Sequence, residues 1–407
     1  MLLRILLLII LLLVLPDLYI YLMYIRHWTK QRWLRILWWV PSLALAVAAS
    51  IIISSNDMRP EHQAWVSIYM YAFLTLCAPK ALFMVMDGIG QGINLLVTGG
   101  AKTREGYDCI FVRVFRIIGM ALALFAITLL AFGYFIGRNH YVVHQQTFYF
   151  PDLPKQFDGY RIAQFSDLHI GTLRDGHEED ARTIVDLINA QQCDAILFTG
   201  DLVNHQSAEL DGFRRDLNKL HAPDGVYAVM GNHDYSMYLR YPSEDERKAD
   251  VEELQRRIRD YGWILLLNEH RILRRGSDSL IIAGVENDGR PPFPAYGDLP
   301  KTMKGLKRNC FTVLMSHDPT HWRRKIIPQT NIQLTLSGHT HAGQFKVFGW
   351  SPVAHVYREW SGGYAEGNQI LNVSDGIGAV MFPFRFGAWP EVNVITLRRA
   401  PSETPKK

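Results

Sequence analysis

Apolar residues crowd the first third of the chain in long unbroken runs and return afterwards only in short bursts. Residues 2–25, 36–55, 64–86 and 117–136 each come near the ~20 apolar residues that a helix needs to cross about 30 Å of hydrocarbon, which predicts four membrane spans. After His140 the pattern shortens. Runs of four to six apolar, largely β-branched or aromatic residues at 160–165, 194–198, 226–230, 311–315 and 332–336 each stop abruptly at polar residues, as buried strands bounded by turns do. A further strand is expected at 280–285, ahead of Glu286, Asn287 and Asp288. Segments 178–191, 210–220 and 244–261 carry helical periodicity with a charged face. Strands alternating with helices predict a layered α/β domain, in which ligands gather at the carboxyl ends of the strands.

The first span resembles a secretory signal, with Arg4 ahead of residues 5–15. No small-residue cleavage site follows, and residues 19–25 carry the run to spanning length, so it is expected to be retained. Asp17, Lys80 and Pro79 interrupt the spans; the two charges either face the bundle interior or snorkel. The formal net charge of +4 divides unevenly. Up to Gly137 there are 11 Lys/Arg and 6 Asp/Glu, net +5; beyond it 32 and 33, net −1, with 13 of the 15 His. The basic excess flanks the apolar runs, where membrane topology accounts for it, so no nucleic-acid partner is expected. Arg26, Lys30, Arg32 and Arg35 lie in the first connection and Lys102, Arg104, Arg113 and Arg116 in the third, against Arg59 in the second and Arg138 after the fourth span. Connections one and three should be cytoplasmic and the soluble domain extracytoplasmic. Trp28, Trp33, Trp38, Trp39 and Trp65 fall near span ends, as an interfacial belt would. Gly88-Ile-Gly-Gln-Gly92 lacks the spacing of a nucleotide loop and reads as a flexible interfacial turn. Four Cys in 407 residues exclude a disulfide-built fold; whether Cys193 and Cys310 pair is open.

The polar tips carry the chemistry. They supply Asp167, His169, Asp201, Asn232, His233, Asp234, His317, His339 and His341. One such residue at a strand end is ordinarily a turn former or cap. Five strand ends delivering carboxylate, imidazole and carboxamide to one rim would repel or desolvate one another without a cation. Mixed oxygen and nitrogen ligation suits Mn, Fe, Zn or Ni, and seven ligand candidates suit two metals sharing a carboxylate better than one.

The blocks Asp167-Leu-His169, Gly200-Asp201, Gly231-Asn-His-Asp234, His317 and Gly338-His-Thr-His341 resemble, in order, those of the calcineurin-like metallophosphoesterase family. The resemblance runs from about residue 160 to 397. Gly376-Ile-Gly378 and Pro390-Glu391 are similar to the tail of its membrane-associated bacterial branch; the front half lies outside the resemblance. It implies a central β-sandwich flanked by helices. It also implies that Asp167, His169 and His341 bind one metal, Asn232, His317 and His339 the other, and that Asp201 bridges them. A bridging hydroxide would be the nucleophile, His233 the proton donor to the leaving oxygen, and Asp234 the residue orienting its ring. Asn204 stands where lipid-directed relatives carry a second Asp. Glu286 and Asp288 are expected to be structural or to orient ligands, His205 and His321 to be solvated loop histidines. Residues 290–296, Arg-Pro-Pro-Phe-Pro-Ala-Tyr, form either a groove wall or a rigid connection.

The expected protein is thus a multi-pass membrane phosphohydrolase of a bacterial inner membrane: a transmembrane domain at 1–140, a catalytic domain at 141–400 and a polar tail at 401–407. It would cleave a phosphodiester on a lipid or envelope head group with two divalent metals. The competing readings are a transport or sensing protein with a regulatory metal-binding domain, and a cytoplasm-facing lipid pyrophosphate hydrolase.

Overall fold

The computed structural model describes residues 2–55, 60–99, 110–174, 177–307 and 310–400. Arg59, Lys102, Arg104 and the tail 401–407 lie outside them. The chain forms two compact units, one built mostly from the apolar helices up to Phe135, the other mostly from Ile136 onward.

Among the described residues, four helices are long and apolar enough to cross a membrane. The first, Leu2–Ile20, continues through Tyr21–Ile25 and Arg26–Trp28. Arg32–Leu37 leads into the second, Val40–Ser55. The third, Pro60–Thr98, has 39 residues, about 58 Å of helix, well beyond the expected 64–86. It absorbs Gly88–Gly92, which is therefore helix rather than a turn. At Gly90 a Cβ would stand 2.9 Å from the Cβ of Phe115 and 3.2 Å from the Phe111 carbonyl, so the glycine permits close packing on the fourth helix, Ile110–Phe135.

The interrupting charges face inward and are paired. Lys80 Nζ lies 2.6 Å from Asp17 Oδ1 and 4.7 Å above the Trp38 ring; Ser42 donates to the other Asp17 oxygen. Trp38 Nε1 donates to the Asp17 carbonyl at 3.2 Å, which ties this tryptophan into the bundle. A second pair escaped the sequence reading. Arg116 Nε lies 3.2 Å from Asp87 Oδ1, and the Tyr19 hydroxyl donates to Asp87 Oδ2 at 2.7 Å. Arg113 and Arg116 thus belong to the fourth helix, not to a connecting loop. Replacing Lys80 with Met strands a buried Asp17 carboxylate and should cost about 3–5 kcal/mol, whereas the Asp17→Asn/Lys80→Met double variant should recover most of that loss. Thermal unfolding of the detergent-solubilised chain, followed by tryptophan fluorescence, checks this; a double variant no more stable than the single one would refute it.

The second unit contains strands β1 (Val142–Phe150), β2 (Arg161–Phe165), β3 (Ala195–Phe198), β4 (Val226–Ala228), β5 (Ile264–Leu265), β6 (Glu269–Arg275), β7 (Asp278–Gly284), β8 (Thr312–Met315), β9 (Leu334–Ser337), β10 (Gly362–Glu366), β11 (Gln369–Val373) and β12 (Glu391–Arg399). They form two six-stranded sheets, ordered β1-β12-β2-β3-β4-β5 and β10-β11-β9-β8-β7-β6. In each, four neighbours run parallel: β2 to β5 in the first, β7, β8, β9 and β11 in the second. Side chains alternate across the first sheet. Ile162, Leu197 and Tyr227 point between the sheets with Ile282, Val313, Leu334 and Leu336. Ala163, Phe165, Ile196 and Phe198 point outward, where Ile184, Val185 and Ile188 of helix Glu178–Asn189 and Leu254 and Ile258 of helix Glu244–Asp260 cover them. Ile281 and Leu314 likewise meet Trp322 and Ile326 on the far side of the second sheet. Burial on both faces, worth roughly 1.5–3 kcal/mol per large side chain, is why these strands read as continuous apolar runs.

The polar exception sits behind the tips. Gln164 Nε2 donates to the Ser337 carbonyl at 2.9 Å and its oxygen accepts from Asn372 Nδ2 at 2.8 Å, so the two sheets share a satisfied hydrogen-bond bridge. The expected helix at 210–220 is only a turn at Ser207–Leu210 and four residues at Arg214–Leu217. Six strands lie outside the expected runs: the outer β1, β5, β6 and β10, of which β1, β6 and β10 carry His144, Gln145, Arg271 or Glu366 on exposed faces, and the internal β11 and β12.

Candidate metal centre

Parallel strands end on the same side, and five of them end in the predicted site residues. β2 leads to Asp167 and His169, β3 to Asp201, β4 to Asn232, His233 and Asp234, β8 to His317, and β9 to His339 and His341. Here the chain leaves strand geometry sharply. Asp167, His169, Asp201, His339 and His341 all have positive φ, 55°, 44°, 61°, 75° and 52°. Left-handed backbone at a residue other than glycine costs on the order of 1–3 kcal/mol, and such strain collects where surrounding structure enforces it. The motif glycines make room for the resulting crowd. A Cβ on Gly231 would stand 2.1 Å from Asp201 Oδ1, and one on Gly338 would stand 2.2 Å from Asp167 Oδ2.

The side chains converge. His341 Nε2 lies 3.2 Å from Asp167 Oδ1 and 3.1 Å from His169 Nε2. His317 Nε2 lies 3.1 Å from Asp201 Oδ2 and 3.3 Å from His339 Nδ1. Three groups of potential ligand atoms result: Asp167, His169 and His341; His169, Asp201 and His233; Asp201, His317 and His339. Asp201 and His169 each belong to two of them. Asn232 is brought to the same rim, its Nδ2 donating to the Tyr238 hydroxyl at 2.7 Å. Its Oδ1 is buried with no hydrogen-bond partner, an arrangement that costs about 1–3 kcal/mol and that a cation relieves.

The electrostatics point the same way. Burial opposes ionisation of Asp201, yet His317 and His233 outweigh it and hold the carboxyl well below its usual range. Burial also disfavours the charged form of His317, but Asp201 and then Asp167 raise its pKa to about 10. Burial lowers His169 and His339, keeping them in the neutral, ligating form. His317 Nδ1 lies 2.8 Å from the Thr199 carbonyl, which can only accept, so Nδ1 carries the proton and Nε2 faces the cluster. Imidazole nitrogens facing one another beside shared carboxylates, plus an unpaired amide oxygen, fit divalent cations.

His233 and Asp234 are arranged differently from the expectation. The carboxylate of Asp234 does not reach the His233 ring. It accepts four backbone amides, from Gly231 and Asp201 at 2.9 Å, Leu202 at 2.8 Å and Val203 at 3.2 Å. The ring is oriented instead by the Asn204 carbonyl, 2.7 Å from Nδ1, and packs against Tyr238 with centroids 4.4 Å apart.

Three nearby side chains went unnoticed in the sequence. Tyr238 and Tyr357 sit in loops with no periodic signal; the Tyr357 hydroxyl lies 2.9 Å from His339 Nε2. Arg385 is fully buried, donates to the carbonyls of Gly378, Asp375 and Ala388, and places Nη2 3.2 Å from His341 Nδ1. A lone arginine within Met381-Phe-Pro-Phe-Arg-Phe386 was the available signal. In the tail motif, the amides of Ile377 and Gly378 donate to the carbonyls of Ser166 and Asp167, both at 2.9 Å. Glu286 and Asp288 are structural: Glu286 accepts from Asn268 at 2.6 Å, and Asp288 pairs with Arg324 at 2.8 Å and Lys325 at 2.5 Å. Cys193 and Cys310 are unpaired.

His321 is a correction. It is no solvated loop residue but fully buried, 2.9 Å from Ser316 Oγ and 3.9 Å from Asp288. Burial holds its pKa down to about 4, below the ~6.5 of an unfolded chain. The unfolded chain therefore takes up this proton first. The stability that neutral His321 contributes is whole above pH ~6.5 and falls as pH drops toward about 4, by roughly 2–3 kcal/mol. A His321→Gln variant should lose less thermal stability than the parent between pH 7 and 4.5; equal losses would sink this account.

Comparison with known proteins places both units. Residues 160–343 match the family described as calcineurin-like phosphoesterase, and residues 3–138 match that described as probable calcineurin-like phosphoesterase, transmembrane domain. The chain is 30% identical over 260 residues to the uncharacterized metallophosphoesterase YkuE of Bacillus subtilis, an alignment covering 60% of this chain and 82% of YkuE. It is 25% identical over 344 residues to a transmembrane protein with metallophosphoesterase domain from Danio rerio, covering 83% and 74%. Among solved structures, the phosphopantetheinyl hydrolase of Mycobacterium tuberculosis aligns with 61% of this chain and 99% of its own at 13% identity and a TM-score of 0.36.

Proposed function

The chain belongs to the calcineurin-like metallophosphoesterases and carries their four-helix transmembrane domain; from that premise we propose that it is a membrane-anchored phosphodiesterase working with two divalent cations. Asp167, His169 and His341 would hold one cation, Asn232, His317 and His339 the other, with Asp201 between them. The observation that carries this is the membership of Asp201 in two of the three ligand groups. When bound, such a pair of cations supplies Lewis acidity to phosphoryl oxygens and acidifies water.

The protein's own groups divide the remaining work. His233 gives its Nδ1–H to the Asn204 carbonyl, so to pass a proton to a departing alkoxide its Nε2 must first take up a second proton, as imidazolium, a form that burial disfavours and the Asp201 carboxylate favours. Asp234 keeps the backbone of residues 201–203 against Gly231, so that Asp201 and His233 stay in register. The near-complete burial of Asp167, His169, Asp201, Asn232 and His317 keeps bulk water from screening the charges that develop there. A bound proton donor suits an ester whose leaving group is a poor one, and the membrane domain supports a lipid or envelope head group as its carrier.

Metal-reconstituted hydrolysis tests this. With Mn, Zn, Fe or Ni, the detergent-purified chain should cleave an alkyl nitrophenyl phosphodiester faster than nitrophenyl phosphate. Asp201→Asn should lose bound metal and all but a trace of activity. His233→Asn should keep its metal yet fall about 10²–10⁴-fold on diesters with alkyl leaving groups, and less where nitrophenolate departs. Preference for the monoester would overturn the substrate class, and full activity in Asp201→Asn would overturn the site.

We assign the catalytic unit to the extracytoplasmic side, on the weight of Lys30 between the first two spans and of Arg26, Arg32 and Arg35 in the helical ends that flank it. A reporter enzyme active only outside the cytoplasm, fused after Lys407, should be active; an inactive fusion beside an active cytoplasmic reporter would invert the topology.

A further inference from the structure

Beside His339 lies a cavity of about 560 Å³, lined by Arg290, Thr320, Arg323, His355, Tyr357 and Arg358 among others. Tyr357 is the wall it shares with the candidate metal ligands, through the 2.9 Å contact to His339 Nε2. The proline-rich loop forms the approach. Arg290 opens that loop, and Phe293 further along stands edge-on to the His339 ring with centroids 4.8 Å apart. The choice between groove wall and rigid connection therefore falls to groove wall.

Charge on the lining is one-sided. Arg323 is fixed by Glu359 at 2.5 Å and Glu366 at 3.0 Å, and Arg358 Nε lies 3.6 Å from the same Glu359 oxygen. Arg290 has no carboxylate partner among the described residues. Three guanidinium groups meet the lining carboxylate of Glu359 and, from outside the lining, that of Glu366, a surplus of one positive charge. Guanidinium forks match phosphate oxygens in pairs, and the Thr320 hydroxyl adds a neutral donor. A larger cavity of about 700 Å³ offers no such match: Asp152, Gln333, Glu366 and Asn368 line it, and none of the candidate metal ligands does.

We propose that the Arg290–Arg358 cavity binds a second phosphoryl group of the substrate, so that the natural substrate is a phosphoester bearing a further phosphate dianion. This rests on the phosphoesterase reading, but its binding step can be tested apart from it. The metal-stripped full chain in detergent, titrated calorimetrically with inorganic pyrophosphate at low salt, should bind it. Arg290→Ala and Arg358→Ala should each weaken binding about tenfold, Arg290→Lys less than Arg290→Ala, and the exposed Arg274→Ala, on β6, not at all. Malonate, two carboxylates of similar span, should bind at least tenfold more weakly than pyrophosphate. No pyrophosphate binding, equal malonate binding, or equal loss in Arg274→Ala would overturn the proposal whether or not the enzyme hydrolyses anything. With metal restored, the kcat/KM advantage of a doubly phosphorylated ester over its singly phosphorylated counterpart should shrink about tenfold in each variant; an advantage kept intact would also overturn it. Pyrophosphate binding that is lost in the arginine variants, in a chain inactive on every ester, would leave the subsite standing and remove the enzymatic premise instead.

Discussion

The geometry of the site hangs on the Asp234 carboxylate, which accepts the amides of Gly231, Asp201, Leu202 and Val203. These amides come from two loops, one after β3 and one after β4, whose side chains must meet within a few ångströms. Asp234 is fully buried, and burial with the nearby Asp201 raises its pKa to about 7, opposed by the amides that solvate it. Four donors to one carboxylate leave little freedom for either loop, and the Asp201 backbone is held at φ 61°. The strain at Asp201 and the fixing of Asp234 are two sides of one arrangement: the hydrogen bonds offset what the left-handed backbone costs.

The same logic recurs at the other end of the site. The loop after β2 is held from behind by the amides of Ile377 and Gly378, and the loop after β9 approaches Asp167 through Gly338. A Cβ on Gly378 would stand 1.9 Å from the Leu168 carbonyl. Arg385, reaching His341 at 3.2 Å, binds this tail to the rim of candidate ligands through backbone carbonyls. The two packed sheets supply the rigid platform, with Gln164 and Asn372 bridging them beneath the tips.

Much of this was legible from residue order alone, because parallel strands buried on both faces leave an unmistakable pattern: a short apolar run, then polar tips. Asp167, His169, Asp201, Asn232, His317, His339 and His341 were named from that pattern, and the structure brings them to one rim. What stayed hidden depends on contacts distant in sequence. Which group orients His233 is settled by a carbonyl 29 residues away, and no spacing rule selects Asn204 over the adjacent Asp234. The outer strands β1, β6 and β10 have one exposed face and a polar content like that of loops. Gly88–Gly92 misled because glycine marks a turn in water, yet between packed apolar helices it marks close approach.

The two polar centres of the protein follow opposite charge logic, which decides where its chemistry lies. In the helical bundle the two buried carboxylates are answered by other side chains: Asp17 by Lys80 with Ser42 and Trp38, Asp87 by Arg116 with Tyr19. Buried pairs of this kind contribute little net stability over apolar packing but fix which helix faces meet, since a rotated helix would bury a lone charge. Both carboxylates are paired within the chain. At the strand tips, by contrast, carboxylates, imidazoles and an unpaired Asn232 oxygen converge, and among the described residues Arg385 is the one arginine or lysine in contact with the candidate ligands, at the far nitrogen of His341. A cluster that remains incomplete within its own chain is the one built to take something from outside it.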